Sequence, residues 1–379
     1  MHRKKVVHLT TVHNRFDNRI FQKECLSLAA ASYEVTLLIS DGKGNESYKG
    51  VFIKDLGSYP GLLKRIVFQS FKFFVHAIRE KAAVYHFHDP ELIVTGLLLK
   101  ITGKKVIYDI HEDYTTAIID RDYTHPFLAK IFSRLYHIIE KTFTIGAQKI
   151  IAERYYSYRF PKSVAVLNYP KIEEEVSTPV KEDSTGPRDK IKLLYTGNVT
   201  LERGAVHHAS IVKKIGWARV KYTGHCPVKV YEQIKQSVGE ELERIEMVGL
   251  DHYVPFSEIK EEYQKEDYLA GLAVFPWTRH YYQKELTKLF EYMQAGLPII
   301  CSDFPVWKNI VEVNRCGITV DPEKPDELVD AIDYLKNHPE KAEEMANNGR
   351  DAVKKKYNWF VEENKLLKLY EQLSERTKK

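Results

Sequence analysis

Twice along this chain, short β-branched runs alternate with stretches of helical periodicity, and a polar, unpatterned segment separates the two series. That alternation constrains the fold strongly, because parallel strands must be joined by crossover helices that cover the sheet. Strands are predicted at 5–10, 34–40, 51–55, 84–88, 105–110, 149–152 and 164–167, and again at 191–196, 219–223, 244–248, 270–275, 298–301 and 318–320. Helices are predicted in the intervals, with three closing the chain over 325–336, 339–356 and 360–373. Residues 171–190 hold Glu173, Glu174, Glu175, Pro179, Gly186 and Pro187 and read as a linker. Two doubly wound α/β domains follow. Such sheets bind ligands beyond the carboxyl ends of their strands, so a cleft between two sets of strand ends is expected.

A chain of 379 residues, 44% hydrophobic and 29% charged, is too long for one ordinary core. Arg3, Lys4 and Lys5 open it, but His8, Thr10, Thr11 and His13 interrupt any secretory apolar region, so a cytoplasmic protein is expected. No apolar run approaches the ~20 residues needed to span a bilayer. Cys25, Cys226, Cys301 and Cys316 are far apart, which suits reduced thiols and gives no zinc-ribbon spacing. Net charge is +5, yet residues 1–170 carry 25 Lys and Arg against 16 Asp and Glu, so an anionic partner is expected for that half. With no helix-turn-helix, zinc-finger or RNA-binding aromatic pattern beside the charge, an anionic membrane surface fits and nucleic acid is not expected.

The segment Lys288-Leu289-Phe290-Glu291-Tyr292-Met293-Gln294-Ala295-Gly296-Leu297-Pro298-Ile299-Ile300 reads as a helix ended by Gly296 and followed by a buried strand. A carboxylate placed like Glu291 can accept both hydroxyls of a ribose; read alone, it is a solvated helix residue. This run resembles the donor-sugar signature of glycosyltransferase family four and its GT-B relatives, in which two acids are separated by seven intervening residues. His8 to Phe21, His86-Phe87-His88-Asp89-Pro90-Glu91 and Tyr108-Asp109-Ile110-His111-Glu112-Asp113 resemble the polysaccharide-assembly branch of that family. The resemblance covers nearly the whole chain. It implies a GT-B fold: an acceptor domain over 1–170, a nucleotide-sugar domain over 191–358, and a C-terminal helix, 359–379, returning to the first. It also implies retaining, metal-independent transfer from a UDP-like nucleotide sugar to a glycan or lipid-linked acceptor in surface polysaccharide synthesis, such as capsule or lipopolysaccharide, at the inner membrane face. No cofactor or metal is expected.

Carried onto this sequence, the resemblance makes Glu291 the ribose ligand and puts Gln283 where the family has its first acid, against the transferred sugar. A neutral Gln can still hydrogen-bond a hydroxyl through its amide. The loop Leu194 to Gly204 offers Gly197, Asn198 and Arg203 to the donor phosphates at a helix amino terminus, and Lys288 is the candidate for a second cation; Leu289 completes the donor set. A simple Gly-containing turn is the alternative there. On the other side, His111 is expected near the reacting sugar, with His88, Asp89, Glu112, Asp17 and Arg19 on the acceptor side. Structural histidines and helix-start capping by Asp17 and Arg19 are the alternatives.

Other classes can be built from the same residues. His86, His88 and His111 with nearby carboxylates have the ligand types of a metal-dependent hydrolase, and a sugar-nucleotide epimerase could share the fold. The triplet Asp120-Arg121-Asp122 imitates a metal-binding Asp-x-Asp but reads as a solvated cluster. On a helix predicted over 62–81, Lys64, Arg65, Lys72 and Arg79 share one stripe with Phe68 and Val75, which suits an interfacial helix or an ordinary solvated face.

Overall fold

The apolar runs of the first half form strands β1 (Lys5–Leu9), β2 (Glu34–Ile39), β3 (Glu46–Tyr48), β4 (Val51–Asp55), β5 (Val84–Phe87), β6 (Val106–Ile110), β7 (Gln148–Ile151) and β8 (Val164–Ala165). The computed structural model describes residues 3–58, 61, 65–119, 126–172, 192–265 and 267–375. The first sheet has the order β3-β4-β2-β1-β5-β6-β7-β8, and its neighbours run parallel except for the β3–β4 pair. All residues of β5 and β6 are buried, as expected for strands covered by helices on both faces. Strand β3 was not predicted: three residues, Glu-Ser-Tyr, are too short and polar to show a period of two.

Alternate residues feed two cores on the two faces of this sheet. Val6, Leu37, Ile53 and Ile107 pack with Phe21, Leu28, Trp359, Leu366 and Tyr370, while Val7, Leu38, Tyr85 and Tyr108 pack with Phe73, Ile93 and Leu99. The last helix, Trp359–Glu375, therefore belongs to the first core. Trp359 Nε1 donates to Ser27 Oγ at 2.9 Å, and Glu362 accepts the Leu167 amide at 2.9 Å. Residues 1–171 and 359–379 form one compact unit and residues 172–358 the other. Most of the predicted linker, residues 173–190, lies outside the described residues.

The second unit holds β9 (Lys192–Thr196), β10 (Arg219–Cys226), β11 (Ile245–Leu250), β12 (Tyr268–Ala273), β13 (Ile299–Ser302) and β14 (Gly317–Val320), in the order β11-β10-β9-β12-β13-β14. Every described pairing is parallel. Strand order reverses between β1 and β5 in the first unit and between β9 and β12 in the second. Helix Thr287–Ala295 turns Leu289, Phe290 and Met293 inward and ends at Gly296 in the left-handed region, the predicted stop. Cys25, Cys226, Cys301 and Cys316 are all unpaired and buried, and no described helix is long and apolar enough to cross a membrane.

Candidate functional site

In the second unit, the loop after β9 passes close to the end of β12 at the switch point. Gly204 lies there with φ 75°, and a Cβ on it would stand 2.0 Å from the Val274 carbonyl oxygen, so only glycine lets the two segments meet. Arg203 is thereby held beside the loop that follows β12, where its Nε donates to Tyr281 Oη at 2.9 Å. Lys288, in the first turn of Thr287–Ala295, is buried, with its Nζ 3.2 Å from the centre of the Tyr195 ring. Its ammonium has no hydrogen-bond partner among the described residues. Burial, then the Arg203 charge, pushes the Lys288 pKa well below the usual lysine range.

Glu291 lies one turn further along the same helix and is half-buried. Tyr263 Oη donates to its Oε2 at 2.9 Å and is itself 2.7 Å from Thr196 Oγ1, which ties the carboxylate to the end of β9. Gly197 has φ 83° directly after β9, and exposed Asn198 offers its carbonyl to Tyr195 Oη at 2.8 Å. Gln283 is exposed in the turn before the helix. Leu289 has its side chain fully buried in the core, which leaves its backbone as the part that could meet a donor. The sequence reading missed Tyr195, Tyr263 and Tyr281, which seat the two cations and the acid. Only Tyr195, next to the end of the predicted strand 191–196, carried a signal in the sequence; Tyr263 ends the helix Phe256–Tyr263 and Tyr281 stands in the loop before Thr287–Ala295.

In the first unit, polar groups gather at the carboxyl ends of β1, β5 and β6, across the switch point. Asp89 is fully buried and clamps the loop after β1: its Oδ2 accepts from Thr10 Oγ1 at 2.8 Å and from the Thr11 amide, and its Oδ1 lies 2.8 Å from His13 Nδ1. Burial opposes ionisation, but the hydrogen bond and charge of His13 with these donors bring Asp89 to about 2. His13 is raised in return by Asp89, against its own burial. Its ring meets that of His111 edge-on at 5.1 Å. His13 and His111, both half-buried, are the histidines this cluster presents at its surface, and His13 was not singled out from sequence.

Behind them runs a chain whose tautomers follow from its end. Asp109 is ionised, because Arg19 overcomes the cost of its burial, and it can only accept. His111 Nε2 (2.6 Å) and His88 Nδ1 (3.3 Å) therefore both donate to Asp109 Oδ2. His88 Nε2 is then an acceptor for His8 Nδ1 at 2.9 Å; His8 Nε2 accepts from Tyr370 Oη at 3.0 Å; and Tyr370 Oη accepts from His86 Nδ1 at 2.9 Å. With Nε2 protonated, neutral His111 keeps a lone pair on Nδ1.

Two expectations change here. Arg19 does not line an acceptor surface: it is 4% exposed, forms a bidentate pair with Asp109 at 2.8 and 2.9 Å, and donates to the Val166 carbonyl at 2.8 Å. Half-buried Asp17 caps the amides of Arg19 and Ile20 at 2.8 Å, as the alternative reading had it. Nor do His86, His88 and His111 form one open metal site. Ligand types do gather as His8, Glu24, His86 and His88, and as His88, Asp109 and His111. The first group is fully buried, however, leaving no route for a hydrolysable substrate, and His86 belongs only to it. Glu112 is exposed beside His111, and Asp120, Arg121 and Asp122 lie outside the described residues.

Burial keeps His8 and His86 well below the usual histidine range and brings His88 to about 4. These folded-state values are depressed, so below about pH 6.5 the unfolded chain takes up protons that the folded chain refuses. Each such histidine then removes about 1.4 kcal/mol of stability per pH unit. Glu24 is raised by burial and by Asp109 and opposes part of this loss, since it favours the fold at low pH. Urea unfolding at pH 7 and pH 5 is expected to show lower stability at pH 5, with a shallower dependence in His86→Phe. Equal slopes in the two proteins would mean that His86 takes up its proton as readily in the fold as in the unfolded chain.

Residues 231–352 match the family model described as glycosyl transferases group 1. No curated protein matches the chain. Sucrose-phosphate synthase from Thermosynechococcus elongatus is similar in structure, with TM-score 0.73 and 15% identity over 98% of this chain and 99% of that one. A glycosyltransferase from Rickettsia africae gives 0.69 at 12% identity over 98% and 99%, and Anabaena HepE in complex with UDP gives 0.68 at 12% over 97% and 100%. At such identities the likeness speaks for the fold, which is GT-B. The chain thus has the GT-B fold, and the stretch of it that matches the group 1 glycosyl transferase model lies in the second unit.

Proposed function

We propose that this protein transfers a sugar from a nucleoside-diphosphate sugar, UDP-linked, to a glycan or lipid-linked acceptor in surface polysaccharide assembly, with retention and without a metal. The observation that carries the reading is the pair Lys288 and Arg203 in the second unit. Two basic groups gather at the switch point, Arg203 charged and Lys288 in a setting that disfavours its charge until an anion is bound, and among the described residues neither forms an ion pair. Such a pair is a seat for an anion, and a diphosphate matches it. Glu291, on the same helix as Lys288, accepts the ribose hydroxyls, and Gln283 hydrogen-bonds the transferred sugar. Anabaena HepE, of similar fold, has been seen with UDP and with UDP-glucose.

In the first unit, His111 and His13 would face the sugar and acceptor. Among the described residues no carboxylate pair suggests a double displacement, so the leaving phosphate takes the acceptor hydroxyl's proton as its bond to the anomeric carbon breaks and the glycosidic bond forms on the same face. The lipid-linked acceptor places the enzyme at an anionic membrane. The stripe proposed for this contact is altered by the structure: Lys72 Nζ donates to the Leu56 carbonyl, Arg79 is exposed, and Lys64 and the Arg65 side chain lie outside the described residues.

Glu291→Ala tests the donor site. The loss of a charge-assisted ribose bond is expected to weaken UDP binding by ~1.5–3 kcal/mol, or roughly 10- to 100-fold, with the thermal midpoint nearly unchanged. Titration calorimetry showing wild-type affinity would remove Glu291 from the site.

A further inference from the structure

Helix Pro126–Phe143 turns its apolar side outward. The residues it buries are Ala129, Ser133 and Glu140. Ser133 Oγ donates to the Thr115 carbonyl at 2.7 Å, and Glu140 accepts from Tyr108 Oη at 2.9 Å and Arg159 Nη2 at 2.6 Å. Leu128, Ile131, Phe132, Leu135, Ile138 and Ile139 are all exposed, Phe132, Leu135 and Ile138 by 51%, 52% and 54%. At 3.6 residues per turn these six fall in one arc of about 120°. Lys130, Arg134 and Lys141, also exposed, border that arc on one side. The single carboxylate of the helix, Glu140, is buried.

A second apolar surface lies on the same unit. This helix packs on Ile93–Ile101, whose Val94 and Leu98 line a groove of about 820 Å³ with Val67, Phe71 and Val75. Val67 and Phe71 are exposed as well.

We infer that helix Pro126–Phe143 lies in the headgroup region of an anionic membrane, its apolar arc among the acyl chains and its cations on lipid phosphates. Charge selects this occupant. A second copy packed antiparallel across a two-fold axis would bring Lys130, Arg134 and Lys141 to the same side of the seam as their counterparts, and in either orientation the helix has no exposed carboxylate to pair them. A membrane supplies apolar depth and negative charge together. The inference gives the proposed lipid-linked acceptor its docking element, and it rests on that reading only for its purpose. UDP affinity in solution reports the donor site separately.

Full-length protein is sedimented with vesicles of phosphatidylcholine alone and with about one third phosphatidylglycerol, at low and high salt. Binding is expected to anionic vesicles at low salt. Phe132→Ser/Leu135→Ser/Ile138→Ser is expected to reduce it about tenfold or more with the thermal midpoint and UDP affinity unchanged. Lys130→Gln/Arg134→Gln/Lys141→Gln should abolish the preference for anionic lipid. As a measurement that needs no disruptive change, Phe132→Trp should add fluorescence that brominated lipids quench. The inference fails if wild type ignores anionic vesicles at low salt, or if bound Phe132→Trp shows no added quenching. A concentration-dependent dimer that the triple serine variant dissociates would assign the face to a second copy instead.

Discussion

Lys288→Met is expected to raise the thermal midpoint of the protein while weakening nucleoside diphosphate binding about 100-fold, or ~3 kcal/mol. The two effects share one cause. The Lys288 ammonium is buried, has no hydrogen-bond partner among the described residues, and lies near a second cation, Arg203. Burying such a group costs stability whether it keeps its charge or gives up its proton, and the Tyr195 face offsets only part of that cost. A methionine of similar shape removes the cost, stabilising the fold by roughly 1–4 kcal/mol. A diphosphate supplies the missing counter-charge, so its removal or the removal of Lys288 breaks the same interaction. Nucleoside without phosphate should bind the variant almost as well as wild type. Thermal unfolding and calorimetry with UDP and uridine distinguish the outcomes. A variant that is less stable, or that loses uridine and UDP equally, would show Lys288 to be a packing residue.

The strands were legible because parallel sheets demand continuous apolar runs, and β1, β2, β5 and β6 are such runs. The helix that carries Lys288 and Glu291 was legible from its apolar periodicity and its stop at Gly296, whereas the roles expected of those two residues came from the family resemblance and not from the pattern. What periodicity cannot say is which way an amphipathic helix faces. Residues 126–143 have a clear apolar arc, and a reader of sequence turns it inward by default. Here Tyr108, Arg159 and Thr115 offer polar partners below the helix, so Glu140 and Ser133 face in and the arc faces out. The histidines pose a similar limit. His8, His86, His88 and His111 look alike as strand-end residues, and only the hydrogen-bond chain separates buried His8 and His86 from His111. Tyr370, which links His8 to His86 in that chain, is 284 residues from His86 in sequence.

The other large effect is expected at the inner end of that chain. Asp109→Ala and Arg19→Met should each destabilise the first unit by ~3–5 kcal/mol, because each leaves a buried charge without its partner. Asp109 also receives His111 and His88, so its loss frees the ring that the proposed reaction needs in one tautomer. The double variant Arg19→Met/Asp109→Ala is expected to be less damaged than the sum of the singles by ~2 kcal/mol or more, since both charges leave together. It should not regain wild-type stability, because the Val166 carbonyl loses the Arg19 donor and Glu24 loses its neighbouring cation. Urea unfolding of the four proteins closes the cycle. Additive single effects would show that Arg19 and Asp109 are held independently, and the proposed fixing of the His111 tautomer through Asp109 would then have no support. A coupled pair makes a second, functional demand. Transfer by Asp109→Asn, which preserves shape but no longer fixes Nε2–H on His111, should fall in kcat more than in apparent affinity for UDP-sugar.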